Sequence, residues 1–314
     1  MTVRSAIAAM LLGLLAAAAW SHPTPVERQQ MFEAFGWDTE TAEITVEEIA
    51  PGRYVLFGVG GNILASIGEQ GVLLVDNQIP EVRDRIDAAL AELGAEGVDF
   101  IVNTHWHFDH ADGNLSYGPD GVWLVSHAAS REMMTDDHVI NLVGLAYEQK
   151  AYPPEALPVI TFDDRMQLHF NGERVDLIHT GPAHTTGDAA VLFRGRNIVH
   201  MGDVFVSAGW PFIDHDSGGD LDGLIAFVHA ILDEIDNDTI VVPGHGPVTD
   251  RAAMVSYVED LERARNRIAR LIAEGADFDE IAAAAPTADL DEHRGDSGMF
   301  LDRAYHSLRA SMQP

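Results

Sequence analysis

The chain has 314 residues, enough to bury a large core without covalent staples, and it contains no cysteine. That absence removes disulfides, thiolate ligands and thiol nucleophiles together. A formal net charge of −31 and a pI near 4.5 repel phosphate backbones and anionic lipid, which argues against nucleic-acid and membrane partners.

The first 21 residues read as a secretory signal. Arg4 precedes an apolar run from Ala6 to Trp20, and Ala19-Trp20-Ser21 places small residues where a signal peptidase inspects the chain. The run is too short for a membrane span, which needs about 20 apolar residues. The mature protein is therefore expected to start near His22 and to be periplasmic or secreted. A polar, mobile segment is expected over 22–41 and one domain over 42–314. From Ala42 to Ile67 the stretches ITVEEI, RYVLFGV and NILASI read as strands separated by Pro51-Gly52 and by Gly58 to Gly61. GVLLV is a buried strand ending at Asp76, and Val82, Ile86, Ala89 and Leu90 mark a helix over Glu81 to Leu93, stopped by Gly94. The apolar run Val98 to Val102 then delivers THWHFDH onto a loop at a strand end.

The pattern repeats. VWLVSH is strand-like, Ala128 to Met134 helical, and Asp136 to Leu157 irregular with a helical middle. VITF, MQLHF, RVDLIHT, AAVLF, NIVHM and TIVVPG follow as strands, while Leu221 to Ile235, Arg251 to Gly275 and Met299 to Met312 have helical character. No low-complexity linker divides Ala42 from Met312. One domain of two similar strand-then-helix halves is expected, with helices covering the sheets from outside.

Four ligand-capable side chains, His105, His107, Asp109 and His110, crowd into six positions of that first loop. Later strand ends add His184 in GPAHTTGD, Asp203 in HMGDVF and His245 in VVPGHGP. Imidazole and carboxylate suit zinc, and a site rich in both without thiolate can hold two ions. His127, His169, His179, His200 and His229 lack this spacing and read as structural.

The series His105-x-His107-x-Asp109-His110, then His184, Asp203 and His245, resembles the metallo-β-lactamase superfamily over about Ala42 to Asp250. The resemblance implies an α/β fold, the αββα four-layer sandwich. It also implies a first metal on His105, His107 and His184, a second on Asp109, His110 and His245, and Asp203 bridging both. An aspartate at 203, where the better-known lactamases carry thiolate, is similar to the glyoxalase II-like branch. The chain nevertheless lacks an obvious cation for glutathione's carboxylates. Two Zn2+ ions are the implied cofactors, with iron or manganese as alternatives; His107, where the diiron branch often has glutamate, favours zinc.

The function so implied is hydrolysis of a small-molecule substrate. A metal-bound hydroxide would attack the carbonyl of a strained amide, a lactone or a thioester, with Asp109 as the catalytic side chain that orients it. An iron-dependent oxidoreductase or dioxygenase of the same fold is the alternative. Trp210, Phe212 and His215, in the loop FVSAGWPFIDHDSGGDLDG, are candidate pocket residues, and Asn62 is a candidate for the cleft mouth. Asp76 is placed to orient a ligand histidine through its second nitrogen. No feature of the sequence sets an oligomeric state.

Overall fold

The computed structural model describes residues 23–312, so the expected signal over 1–21 lies outside the described residues. The first half runs α1 (Arg28–Phe35), β1 (Thr45–Ala50), β2 (Arg53–Phe57), β3 (Ile63–Gly68), β4 (Gly71–Val75), α2 (Arg83–Glu92), β5 (Phe100–Val102), α3 (Phe108–Ala111), α4 (Asn114–Tyr117), β6 (Trp123–His127), α5 (Ala128–Met133), β7 (His138–Asn141), β8 (Ala146–Gln149) and β9 (Ile160–Phe162). The second half runs β10 (Arg165–Phe170), β11 (Glu173–Ile178), β12 (Ala190–Phe193), β13 (Ile198–His200), α6 (Leu221–Leu232), β14 (Ile240–Val242), β15 (Thr249–Asp250), α7 (Arg251–Ala273), α8 (Phe278–Ala284), α9 (Ala288–Arg294) and α10 (Gly298–Ser311).

Among the described residues two large sheets result, a seven-stranded one ordered β1-β2-β3-β4-β5-β6-β9 and a six-stranded one ordered β10 to β15 in sequence, beside the separate pair β7-β8. Their central strands, such as β4, β12 and β13, are buried on both faces, and the period of two decides which neighbour each side chain meets. In β4, Leu73 and Val75 face inward and meet Val175, Leu177, Val191 and Phe193 of the second sheet. Val72 and Leu74 face outward and pack with Ile86 and Leu90 of α2. The outer face of the second sheet, Leu192, Val199 and Val241 among it, is covered by Phe227 and Ile231 of α6, Leu261 of α7 and Phe300 of α10. Helix, sheet, sheet, helix is the layering the sequence implied. Burying an aliphatic or aromatic side chain stabilises by about 1.5–3 kcal/mol, so three contiguous apolar layers replace the missing disulfides.

Two expectations are corrected. The lead-in expected to be mobile carries α1, in which Met31 and Phe32 are fully or almost fully buried. Its Arg28 donates to Asp112 at 2.5 Å and to the hydroxyl of Tyr147 at 2.9 Å. Between Asp136 and Leu157 the chain forms a β-hairpin rather than a helical middle, with β7 and β8 paired antiparallel. Its two-residue turn, Val143-Gly144, has both φ angles positive, at 56° and 86°. Hairpins favour that turn because it matches strand twist, but asparagine or glycine usually occupies its first position. Valine concealed it.

The parallel pairings position the site. β4, β5 and β6 run parallel to one another, as do β13 and β14, so their carboxyl ends open along one edge of the sandwich. The residues that follow those ends belong to both sheets.

Candidate metal centre

Seven side chains meet at that edge. His105 and His107 lie on the loop after β5, Asp109 and His110 on α3, and His184 on the loop between β11 and β12. Asp203 follows β13 and His245 follows β14. Three groups have ligand atoms within 4.8 Å of one another: His105, His107 and His184; His105, His110 and Asp203; Asp109, His110 and His245. Since His105 and His110 each belong to two groups, the atoms form one continuous centre. Nε2 of His184 lies 2.9 Å from Nδ1 of His107, and Nε2 of His110 lies 3.2 Å from Nε2 of His245. Asp203 sits between, with Oδ1 3.1 Å from His110 Nε2 and Oδ2 3.4 Å from His245 Nε2 and 3.8 Å from His184 Nε2.

Each buried histidine is turned by a bond on its other nitrogen, as metal-binding imidazoles are. Asp76 directs two of them. Its Oδ2 lies 2.8 Å from His110 Nδ1 and accepts from the Thr104 hydroxyl, whose oxygen is 3.0 Å from His105 Nδ1. Asp76 adopts a left-handed φ of 63°, uncommon for a residue with a Cβ, and is fully buried. Nδ1 of His184 is 2.7 Å from the carbonyl of Phe212, and Nε2 of His107 is 3.0 Å from Oδ2 of Asp214. Glycines permit the closeness. A Cβ on Gly61 would stand 2.1 Å from the His110 ring, and one on Gly244 would stand 1.9 Å from Asp203 Oδ1.

The metal-free electrostatics divide the centre. Burial, with the neighbouring rings, holds His105 well below the ordinary imidazole range, and burial lowers His184 too. On the other side burial also resists charge, but Asp203, Asp109 and Asp76 draw His110 well above that range. Burial likewise opposes charge on His245, yet Asp203 and Asp109 push it up to about 10. Asp203 is held well below the carboxylate range, because His245 and His110 outweigh the effect of burial. Asp109 and Asp203 thus favour positive charge on the groups between them. Meanwhile His105 Nε2 is buried with no hydrogen-bond partner among the described residues. An unpaired buried acceptor beside a carboxylate pair that favours cations fits divalent metal.

The other candidates separate. Phe212 lies against the centre, its ring 6.1 Å from that of His107 and 5.8 Å from that of His184. Trp210 turns the opposite way and stacks on Phe300 at 4.5 Å, with its indole N–H donating to Asp291. His215 begins a short 3-10 turn after Asp214 and belongs to none of the candidate metal groups among the described residues. Asn62 is buried instead of at the mouth. Its side-chain amide donates to the carbonyls of Pro243 and Gly246, fastening the first sheet to the loop that carries His245. Of the histidines read as structural, His200 is buried with Nε2 3.0 Å from the Asn62 carbonyl, and His127 stacks on His179 at 3.8 Å. Sequence reasoning missed Asp214. It lies between two quoted candidates in an acidic loop, where a capping role reads equally well, and it does take the N–H of Ser217.

Comparison with known proteins agrees with this fold. Residues 58–266 match the family model described as the metallo-beta-lactamase superfamily. The "Beta-lactamase-like protein 2 homolog" of Caenorhabditis elegans is 24% identical over 229 residues, covering 71% of this chain and 68% of that protein. The mitochondrial hydroxyacylglutathione hydrolase of Saccharomyces cerevisiae is 26% identical over 203 residues, covering 62% and 63%. Among solved structures, a metallo-beta-lactamase from Pontibacter korlensis superposes with a TM-score of 0.58 at 17% identity, covering 70% of this chain and 99% of that one.

Proposed function

We propose that this chain, which belongs to the metallo-β-lactamase superfamily, is a dinuclear zinc hydrolase of carbonyl compounds. The observation that carries this reading is the shared ligand set: one group on His105, His107 and His184, another on Asp109, His110 and His245, and Asp203 reaching toward both. Zinc bound there would acidify a water toward neutrality and polarise a carbonyl, which is the chemistry that acyl hydrolysis needs.

The chain's own residues supply position and charge. Asp109 is partly open at the mouth, with Oδ2 3.1 Å from His245 Nε2, and its carboxylate is ionised below its usual range because His110 and His245 overcome the effect of burial. It is placed to accept a hydrogen from the attacking water and fix that water's direction. Asp76, Asp214 and the Phe212 carbonyl hold the imidazoles so that little reorganisation accompanies reaction. Phe212 gives the His107–His184 side an apolar wall, against which the non-reacting part of a substrate would rest. Strained amides, lactones and thioesters are the candidate substrates. An aspartate at 203 in place of thiolate would give less help to a departing nitrogen anion, so an ester or thioester should exceed any penicillin in kcat/KM.

Metal analysis after zinc loading should find about two ions per chain, with Asp203→Ala lowering both and His110→Ala mainly one. A stoichiometry of one that His110→Ala leaves unchanged would refute the dinuclear centre. Protein holding two ions that cleaves nothing in a panel of β-lactams, lactones and thioesters would refute the hydrolase.

A further inference from the structure

We infer that the substrate of this centre is uncharged or cationic outside its reactive carbonyl. Its mouth rejects compounds that carry a remote carboxylate. This rests on the hydrolase reading above and adds the charge class of the substrate.

The first observation is where the cations are. Recognition of a carboxylate relies on a guanidinium or ammonium with donors to spare. Each guanidinium that reaches the site loops is already committed. Arg28, behind α3, is divided between Glu81 and Asp112. Arg294, whose carbonyl faces Gly209 of the Asp203 loop, directs Nε to buried Asp260 at 2.7 Å and lies over the Tyr257 ring. Arg303 is buried and shared between Asp302 and Asp216. Among the described residues, no lysine or arginine contacts any of the seven ligand side chains.

The second observation is what the mouth offers instead. His245 is the most open of the ligands, at 36% exposure. Its loop is held by Ser207, whose N–H donates to the His245 carbonyl and whose hydroxyl donates to that of Pro247. Exposed Ala208 comes next, within 3.2 Å of a Cβ built on Gly246. Phe212 lines the His107–His184 side, and Gly60 and Gly61 lie against Asp109 and His110. Small, neutral and aromatic groups therefore frame the centre, in a molecule of net charge −31. An anionic tail passing this rim meets no partner to replace its hydration, and the surrounding field slows its approach. A neutral or ammonium-bearing compound meets neither obstacle.

The test reads binding as well as turnover. Three mercaptoacetamides share one metal-binding thiol and end in an ammonium, a hydroxyl or a carboxylate, made from ethylenediamine, ethanolamine and β-alanine respectively. Titrated into cobalt-loaded protein and followed by visible absorption, the first two should bind at least tenfold tighter than the carboxylate at low ionic strength. The gap should narrow in 0.5 M NaCl. Ala208→Lys should strengthen the carboxylate compound severalfold while moving the hydroxyl compound less than twofold. In turnover, thioesters of N-acetylcysteamine should exceed the matching glutathione thioesters by tenfold or more in kcat/KM. Equal or tighter binding of the carboxylate compound overturns the inference, as does failure of all three thiols to perturb the spectrum. If the binding order holds but no acyl compound is cleaved, the hydrolase reading fails and the charge preference stands.

Discussion

Gly61 has no room for a methyl group: the added Cβ would meet a His110 ring that is fully buried and pinned by Asp76, so the ring cannot give way cheaply. Overpacking of this kind costs about 1–3 kcal/mol, and here the displaced group is a ligand. On the proposed two-ion centre, Gly61→Ala should therefore leave roughly one ion per chain, measured by metal analysis against the parent, with far-UV circular dichroism unchanged. Asp214 acts from the other side. Asp214→Asn keeps the shape but removes the carboxylate facing His107 Nε2, and should weaken metal binding by about 10–100-fold in a competition titration against a chromophoric chelator. A parent-like affinity would show that Asp214 serves only the turn it caps. These two residues show what was legible. The ligands announce themselves through chemistry and spacing, because few other purposes gather three histidines and an aspartate after a strand. Asp214, Phe212 and Trp210 carry no such mark. The two aromatics are two positions apart, and only packing sends one to the centre and the other onto α10.

At the scale of elements, strands and long helices were readable because their apolar period is a local property, as in GVLLV or the face of α6. α1 was not. RQQMFEAF is too short to repeat an apolar period, and its place is set by distant partners: Trp37 near Phe108 at 6.0 Å, and Arg28 on Asp112, which Tyr152 also reaches at 2.6 Å. The β7–β8 hairpin was hidden by valine at a left-handed position. The short helices α8 and α9 were also passed over. α9 is fastened to α7 by buried Asp260, which accepts from His293 at 2.8 Å, from Arg294 and from Arg263. Burial alone would raise this carboxyl, but the three bonds hold it below its ordinary value. A carboxyl depressed in the folded state contributes stability above its unfolded pKa of about 3.9, and that contribution is lost as pH falls through the folded value. Asp260→Asn should therefore destabilise the metal-free protein at pH 7 by about 3 kcal/mol, as removal of one member of a buried ion pair does. The deficit should shrink below about pH 4. Urea unfolding at pH 7 and pH 3.5 measures both, and a deficit independent of pH would place the effect in packing instead of charge.

For the molecule as a whole, the four layers followed from alternating buried strands and covering helices. The division into seven and six strands did not. Nothing local says that β9 joins the first sheet in parallel with β6 while β10 opens the second, since that choice depends on contacts formed only when the halves meet. The chain crosses between sheets at exposed Asp163-Asp164, and the three candidate metal groups all draw ligands from both sides of that crossing. His105, His107, Asp109 and His110 come before it, and His184, Asp203 and His245 after it. A chain nicked at Asp163-Asp164 should accordingly stay one particle on a sizing column when loaded with zinc. It should separate into two at a lower urea concentration once a chelator is added. Coelution of the pieces regardless of chelator would mean that the inner apolar layer alone suffices. If the pieces part only on chelation, bound ions would be fasteners as well as reagents: a copy of this protein starved of metal would lose its grip between halves, and degradation would remove such copies before they accumulated.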